Sequence, residues 1–193
     1  VQTCALPISA NNVQELLALA RSKPGQINYA SVGNGSAVHL ATELFKTRAG
    51  INLTHIPYKG SAPALQGVLS GEASVMFVNL LSAMPLVKSG KLRALAAASG
   101  TRIAAMPELP TIAEAGVPGY EYQIWFGIVA PAGTPKATVD RLNQDLRRVI
   151  ALPEVRAVFD KGGFEPVGST VEGFTSLIPR EIDRWGKLVR ETG

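Results

Sequence analysis

Cysteine and histidine are scarce in this chain of 193 residues, which has only Cys4, His39 and His55. A single cysteine excludes an intramolecular disulfide and any cysteine-rich metal site. The two histidines do not favour a structural zinc site, because such sites draw four ligands mainly from cysteine and histidine. We therefore expect no metal and no cofactor.

Charge and long apolar runs are also limited. Charged residues make up 18% of the chain, with 19 basic against 15 acidic side chains, and only Arg147 and Arg148 are adjacent basic residues. Scattered charge of this kind does not predict nucleic-acid binding, although the net charge of +4 favours small anions. The longest largely apolar runs, such as residues 92–98 with Arg93 within it, are too short to cross a bilayer, so we expect no direct membrane insertion.

The first residues lack the basic and apolar regions of a secretory signal. From composition alone, two interpretations stay open. Either the protein is cytosolic, or its true N-terminus is missing from this sequence.

Hydrophobic residues, at 46%, are sufficient for a substantial core. Strand-like segments at residues 27–30, 52–57, 73–78 and 92–98 alternate with helical patterns that begin near Asn12, Ser36, Ala62 and Ser82. Alternation at this spacing implies right-handed crossovers and a mostly parallel sheet. The predicted fold class is α/β.

The pattern changes beyond residue 100. Prolines and glycines at residues 106–120 indicate an irregular connection with one helical turn, and residues 121–130 resemble a strand. Thr134 with Pro135 predicts a helix to residue 151, followed by helices over 153–161 and after a capping box at Ser169 to Glu172, with a kink at Pro179. The last third is therefore predicted to be mainly helical.

The segment Ser31-Val32-Gly33-Asn34-Gly35-Ser36 is the strongest candidate site. A glycine-rich turn at a helix start exposes amide groups and the positive end of the helix dipole, which together bind anions. It is not a P-loop, since no Gly-Lys-Ser/Thr follows, and it is not a dinucleotide fingerprint, since Val38 stands where glycine is required. A tight turn and an anion site remain equally supported.

Other candidates are weaker. Tyr58-Lys59-Gly60 follows a strand at the same predicted end of the sheet, where ligands of open α/β folds bind, although a solvated turn explains it equally well. We interpret His39 as a brace for the loop and His55 as structural. Ser36, His39 and Glu43 would all lie on one helix without an elbow turn, so no catalytic residues are predicted.

Several segments are recognisable in their order along the chain. They include Gly33-Asn34-Gly35-Ser36 with His39-Leu40, His55-Ile56-Pro57-Tyr58-Lys59-Gly60, Gly90-Lys91-Leu92-Arg93, Leu109-Pro110-Thr111-Ile112-Ala113-Glu114-Ala115-Gly116, Trp125-Phe126-Gly127 and Ile182-Asp183-Arg184-Trp185. Together they resemble the Bug family, also called TctC, the substrate-binding proteins of tripartite tricarboxylate transporters.

The resemblance implies a non-enzymatic periplasmic protein of the type II periplasmic-binding-protein fold. It would capture a small carboxylate, such as a di- or tricarboxylate, for the membrane subunits of the transporter. Residues 1–125 would form an α/β lobe with the glycine loop, and residues 126–193 the helical part of the other lobe, without that lobe's N-terminal sheet segment. An effector-binding domain of a regulator and an enzyme acting on a small anion are the alternatives.

Family members hold the carboxylate with loop amides and hydroxyls at helix starts. Carried onto this chain, the resemblance implies the ligand-binding residues Ser31, Gly33, Asn34, Gly35 and Ser36, with Tyr58, Lys59 and Gly60. Asn79 joins them, at a turn where the family commonly carries an aspartate.

The chain departs from the family at its start. No counterpart exists for the signal peptide or for the N-terminal strand and helix with a Pro-Gly-Gly loop, so we expect residues 1–8 to be non-native. Without that segment, apolar side chains of the C-terminal helices should be partly exposed. These are Leu142, Leu146, Val149, Phe159, Phe174, Leu177 and Trp185.

Overall fold

A computed structural model describes residues 2–5, 9–162 and 164–192. The chain divides into two compact units, Val1–Ile124 and Trp125–Gly193. No helix in these described ranges is both long enough and apolar enough to cross a membrane.

The first unit is built on a five-stranded sheet with the order β3-β2-β4-β1-β5. The pairs β2–β3 and β2–β4 are parallel, whereas β1 is antiparallel to both of its neighbours. Four strands therefore share one direction, and the predicted α/β class with a mostly parallel sheet is confirmed. The strands are β1 (Gln2–Ala5), β2 (Asn28–Ser31), β3 (Thr54–Pro57), β4 (Val75–Val78) and β5 (Arg93–Ala97).

Four helices connect these strands, and polar side chains define three of their starts. Asn12, Ser36 and Asn79 each accept a hydrogen bond from the amide three residues later, as expected of an N-cap. Gly50 ends the second helix in the left-handed conformation. The helices are α1 (Val13–Ser22), α2 (Ala37–Ala49), α3 (Ser61–Leu69) and α4 (Leu80–Lys88).

An aromatic group lies at the centre of the first unit. Phe45 of α2 and Phe77 of β4 are fully buried, and each ring contacts Tyr120 at a centroid distance of about 6 Å. The Tyr120 hydroxyl donates to the carbonyl of Ala41 at 3.1 Å. Since Tyr120 follows the last strand, these contacts attach the irregular segment after β5 to the α2 side of the sheet.

Strand β1 was not predicted. Residues 2–5 show no diagnostic periodicity, and their partners are residues 75–78 and 93–97, far away along the chain. A pattern within a short window contains no information about such pairing. Residue 1 and residues 6–8, on which part of the expectation about residues 1–8 falls, lie outside the described residues.

The strand predicted at residues 121–130 is wrong. Residues 121–130 join no ladder in the described sheet, although the amide of Tyr122 donates to Ala98. Several of the apolar side chains are exposed, including Phe126, Ile128 and Val129. The sequence has strand propensity there, but a strand also requires a neighbour for its backbone groups.

The second unit contains α5 (Lys136–Ala151), α6 (Pro153–Gly162) and α7 (Val171–Thr192), which confirms the three predicted helices. Two caps differ from the prediction. The Thr134 hydroxyl donates to the Pro131 carbonyl rather than capping α5, and Thr170 rather than Ser169 accepts from the amide of Gly173.

Apolar side chains of the second unit are poorly covered. Leu188 is the one buried residue among those described there, while Leu142 and Val149 of α5 are about half exposed, at 52% and 47%. Leu146 is also exposed, and Phe159, Phe174, Leu177 and Trp185 are partly buried. The predicted partial exposure of these helix faces is confirmed.

Candidate functional site

The glycine loop joins the carboxyl end of β2 to the start of α2. Its two glycines have positive φ angles, 132° at Gly33 and 69° at Gly35, which side chains rarely adopt. The Ser36 hydroxyl accepts from the His39 amide at 3.2 Å, and the Ser36 amide donates to the Gly33 carbonyl. The loop therefore depends on glycine, and Ser36 is the N-cap that the sequence predicts.

Three amides of this loop and helix start have no acceptor. The amides of Asn34, Ala37 and Val38 donate to no atom in the described part of the chain, although Asn34 is exposed. Free amides in the first turn of a helix lie at the positive end of its dipole. Ala37 and Val38 were missed by the sequence reasoning, although a Ser36 cap that bonds His39 leaves these two amides available.

The second predicted turn lies beside the glycine loop. Strands β2 and β3 are paired in parallel, and the Tyr58 amide donates to the Ser31 carbonyl at 3.0 Å. Lys59 is exposed, and Gly60, with φ 113°, precedes α3 without a side-chain cap. The structure thus brings together two turns that precede helix starts.

The side chain of Tyr58 has a different environment from its backbone. It packs against Gly67 of α3, where a Cβ atom would overlap the Tyr58 ring, and against the apolar core. Burial, together with the nearby Glu72 carboxylate, raises the pKa of Tyr58 to about 12. The Tyr58 contribution to the loop is consequently its backbone.

Asn79 follows β4, the other neighbour of β2 in the sheet, so it lies at the same sheet edge. It is exposed, and its Oδ1 accepts from the Ser82 amide at 2.8 Å. The capping function accounts for its position at the start of α4.

We expect Asn79→Ala to lower the free energy of unfolding by about 1 kcal/mol, the usual cost of removing an N-cap. Asn79→Asp should retain stability because aspartate also caps helices, and it should retain ligand affinity because the family commonly carries an aspartate at this turn. Urea unfolding and ligand titration of the two variants measure these effects separately. Equal stability of Asn79→Ala and the wild type would contradict the capping function.

A stacked aromatic column lies next to the glycine loop. The rings of Tyr29 and His55 are 4.7 Å apart, and those of His55 and His39 are 4.2 Å apart, with interplanar angles of 13°. His55 Nε2 lies 2.6 Å from the Ser31 hydroxyl, and His39 Nδ1 accepts from the Gly35 amide at 3.1 Å. Both histidines therefore contact the glycine-loop segment, His55 at Ser31 and His39 at Gly35.

A buried carboxylate anchors this column. Glu43 Oε1 accepts from the Tyr29 hydroxyl at 2.5 Å and from Lys46 Nζ at 2.7 Å. Burial and the Glu43 carboxylate raise the pKa of Tyr29 well above its ordinary value. Burial, with a further contribution from His39, holds the pKa of His55 below its ordinary range.

Sequence reasoning missed the connection between Glu43, Lys46 and Tyr29. The spacing of three residues between Glu43 and Lys46 on α2 was a usable signal, because such pairs adjoin on a helix. The link to Tyr29 has no local signal, since it joins a strand to a helix.

Comparison with known proteins shows to which family the chain belongs. A family model described as "Tripartite tricarboxylate transporter family receptor" (TctC) matches residues 2–193. The chain belongs to this receptor family. The resemblance to the Bug and TctC proteins predicted from the sequence is thereby confirmed.

Two relatives illustrate the similarity within the TctC family. The chain is 38% identical over 181 residues to the UPF0065 protein in the tcbD-tcbE intergenic region of Pseudomonas sp. (strain P51), covering 93% of this chain and 54% of that protein. It is 36% identical to protein BugT of Bordetella pertussis (strain Tohama I) over 186 residues, 96% of this chain and 57% of BugT. The chain thus spans about half the length of these relatives.

Solved structures show the same fold. Rpa4515 of R. palustris, solved with adipate, matches with a TM-score of 0.91 and 36% identity over 100% of this chain and 64% of its own. The periplasmic binding protein BugD matches with a TM-score of 0.87 and 31% identity, covering 100% of this chain and 65% of BugD. MatC (Rpa3494) of Rhodopseudomonas palustris, with bound malate, matches with a TM-score of 0.84 and 29% identity, covering 97% of this chain and 65% of MatC. The periplasmic-binding-protein fold predicted for the chain is therefore confirmed, with the chain covering part of it.

Proposed function

We propose that this chain is part of a periplasmic solute-binding protein that captures a small carboxylate, such as a di- or tricarboxylate, and delivers it to the membrane subunits of a tripartite tricarboxylate transporter. The observation that carries the proposal is the set of unpaired amides of Asn34, Ala37 and Val38 at the glycine loop. Family membership supports the transport function, and the adipate and malate complexes of Rpa4515 and MatC support the ligand class.

The amides would bind one carboxylate group of the ligand. They belong to the loop before α2 and to its first turn, where the helix dipole favours negative charge without a buried basic side chain. Ser31, Gly33 and Gly35 would shape the loop, while Asn34 and Ser36 would contact the ligand. Tyr58, Lys59, Gly60 and Asn79 would border the site from the neighbouring turns.

The two units would belong to the two lobes of such a protein. The first unit would be the lobe with the glycine loop, and residues 126–193 would be the helical part of the other lobe. The exposed apolar side chains of α5 and the additional length of the relatives support a sheet segment from outside this chain as the partner of these helices.

The enzymatic alternative has one point in its favour, the 2.6 Å contact between the Ser31 hydroxyl and His55 Nε2. Ser31, however, is fully buried, and its hydroxyl also contacts the amide and carbonyl of Gly33. A nucleophile must reach its substrate. The contact is therefore better explained as a support for the loop than as a nucleophile and base.

The function is tested by titrating adipate, malate and citrate into the complete protein that contains this chain, using isothermal calorimetry. We expect at least one of these acids to bind with a dissociation constant of about 1 µM, and 1,6-hexanediol, which lacks both carboxylates, not to bind. Equal affinity for adipate and hexanediol, or binding of none of the acids, would overturn the proposal.

A further inference from the structure

We infer that His39 is a positioning residue of the proposed carboxylate site, because its unprotonated Nδ1 holds the Gly35 amide and so fixes the glycine loop. The inference rests on the proposed function of that loop. It adds that ligand affinity depends on a side chain that does not contact the ligand.

The first support is the direction of the hydrogen bond. The Gly35 amide donates to His39 Nδ1 at 3.1 Å, so Nδ1 acts as an acceptor and carries no proton. His39 Nε2 faces Glu43 Oε1 at 3.8 Å, which is beyond hydrogen-bond distance. The loop amide therefore identifies Nδ1 as the acceptor, and the carboxylate on the other side of the ring is compatible with a proton on Nε2.

The second support is that the His39 ring cannot easily turn. It stacks on His55 at 4.2 Å, and His55 stacks in turn on the fully buried Tyr29. The Glu43 carboxylate beside the ring is held by Tyr29 and Lys46. These contacts keep the imidazole ring oriented so that Nδ1 faces the loop.

The third support is that little else holds Gly35. A Cβ atom built at Gly35 would meet nothing within 4 Å, and the residue is exposed. Packing therefore does not fix this position, and in the described part of the chain the Gly35 amide donates to His39 Nδ1. Losing that bond would allow the peptide before Gly35 to reorient, which would displace the neighbouring free amide of Asn34.

The experiment compares the complete wild-type protein with His39→Asn and His39→Leu. Asparagine places an oxygen near the position of Nδ1, whereas leucine fills space without an acceptor. Adipate is the probe, titrated by calorimetry at a single pH. We expect His39→Asn to keep an affinity close to that of the wild type, because the acceptor is retained. His39→Leu should bind adipate about tenfold more weakly, the value of about one hydrogen bond.

A second readout needs no ligand. Hydrogen exchange of the Gly35 amide should be faster in His39→Leu than in the wild type and in His39→Asn. His55→Gln, which retains an acceptor near the Nε2 position, should leave the Gly35 exchange rate unchanged if His39 is the acceptor.

Equal adipate affinity of the wild type and His39→Leu, with both folded, would overturn the positioning role. If no protein binds adipate, the proposed ligand class fails, and the exchange rate of the Gly35 amide alone decides the inference. Equal Gly35 exchange rates in the wild type and His39→Leu would then refute it.

Discussion

Gly33→Ala is expected to weaken adipate binding to the complete protein by about ten- to a hundredfold. Gly33 has a φ angle of 132°, well outside the regions open to residues with a Cβ atom. Holding alanine there costs about 1 to 3 kcal/mol, which converts directly into that loss of affinity if binding requires the native loop. Calorimetric titration of the variant measures the effect.

Gly50→Ala provides a matched control at the other end of the same helix. Gly50 also has a positive φ, 61°, and a Cβ atom there would meet nothing within 4 Å. In this left-handed conformation alanine should cost about 1 kcal/mol of stability and leave adipate affinity unchanged. Unchanged affinity in Gly33→Ala, with both variants folded, would mean that the loop conformation does not determine binding.

Glu43→Leu is expected to lower the free energy of unfolding by about 2 to 4 kcal/mol. The Glu43 carboxylate is 8% exposed and accepts from Tyr29, which is fully buried, and from Lys46. Leucine would leave the Tyr29 hydroxyl without its acceptor and a largely covered ammonium group without its counter-charge. Urea unfolding monitored by circular dichroism measures the change.

Two further variants separate the hydrogen bond from the charge. Glu43→Gln keeps an acceptor for Tyr29, so it should cost about 1 kcal/mol, less than leucine. The double variant Tyr29→Phe, Glu43→Leu should cost less than the sum of its single changes because neither partner is left unpaired. Strict additivity would show that the two side chains are not coupled.

Local signals were enough to predict much of the fold. Helix α2 is bounded by Ser36 and Gly50, whose capping and left-handed conformations are properties of the residues themselves. The alternation of strands and helices likewise predicted the sheet from β2 to β5. In contrast, residues 121–130 have strand propensity but join no ladder in the described chain, because pairing is a property of two segments.

The candidate site was only partly predictable for the same reason. Glycine spacing and the Ser36 cap identified the loop, but the stack of Tyr29, His55 and His39 combines two strands and a helix. The orientation of Tyr58 depends on Gly67 of α3, which leaves room for the ring. Such details require tertiary contacts, so the interpretation of His39 as a brace could be made from sequence while its partners could not.

The antiparallel strand β1 has a consequence for how the first unit assembles. In the described sheet, β5 is an edge strand whose ladder partner is β1, and β1 also pairs with β4. During folding, residues 2–5 must therefore insert between β4 and β5, which lie much further along the sequence, before β5 can join the sheet. Such long-range closure has a high entropic cost and slows folding. We expect β2, β3 and β4 to form an early nucleus, with β1 and β5 joining it together in a late, cooperative step.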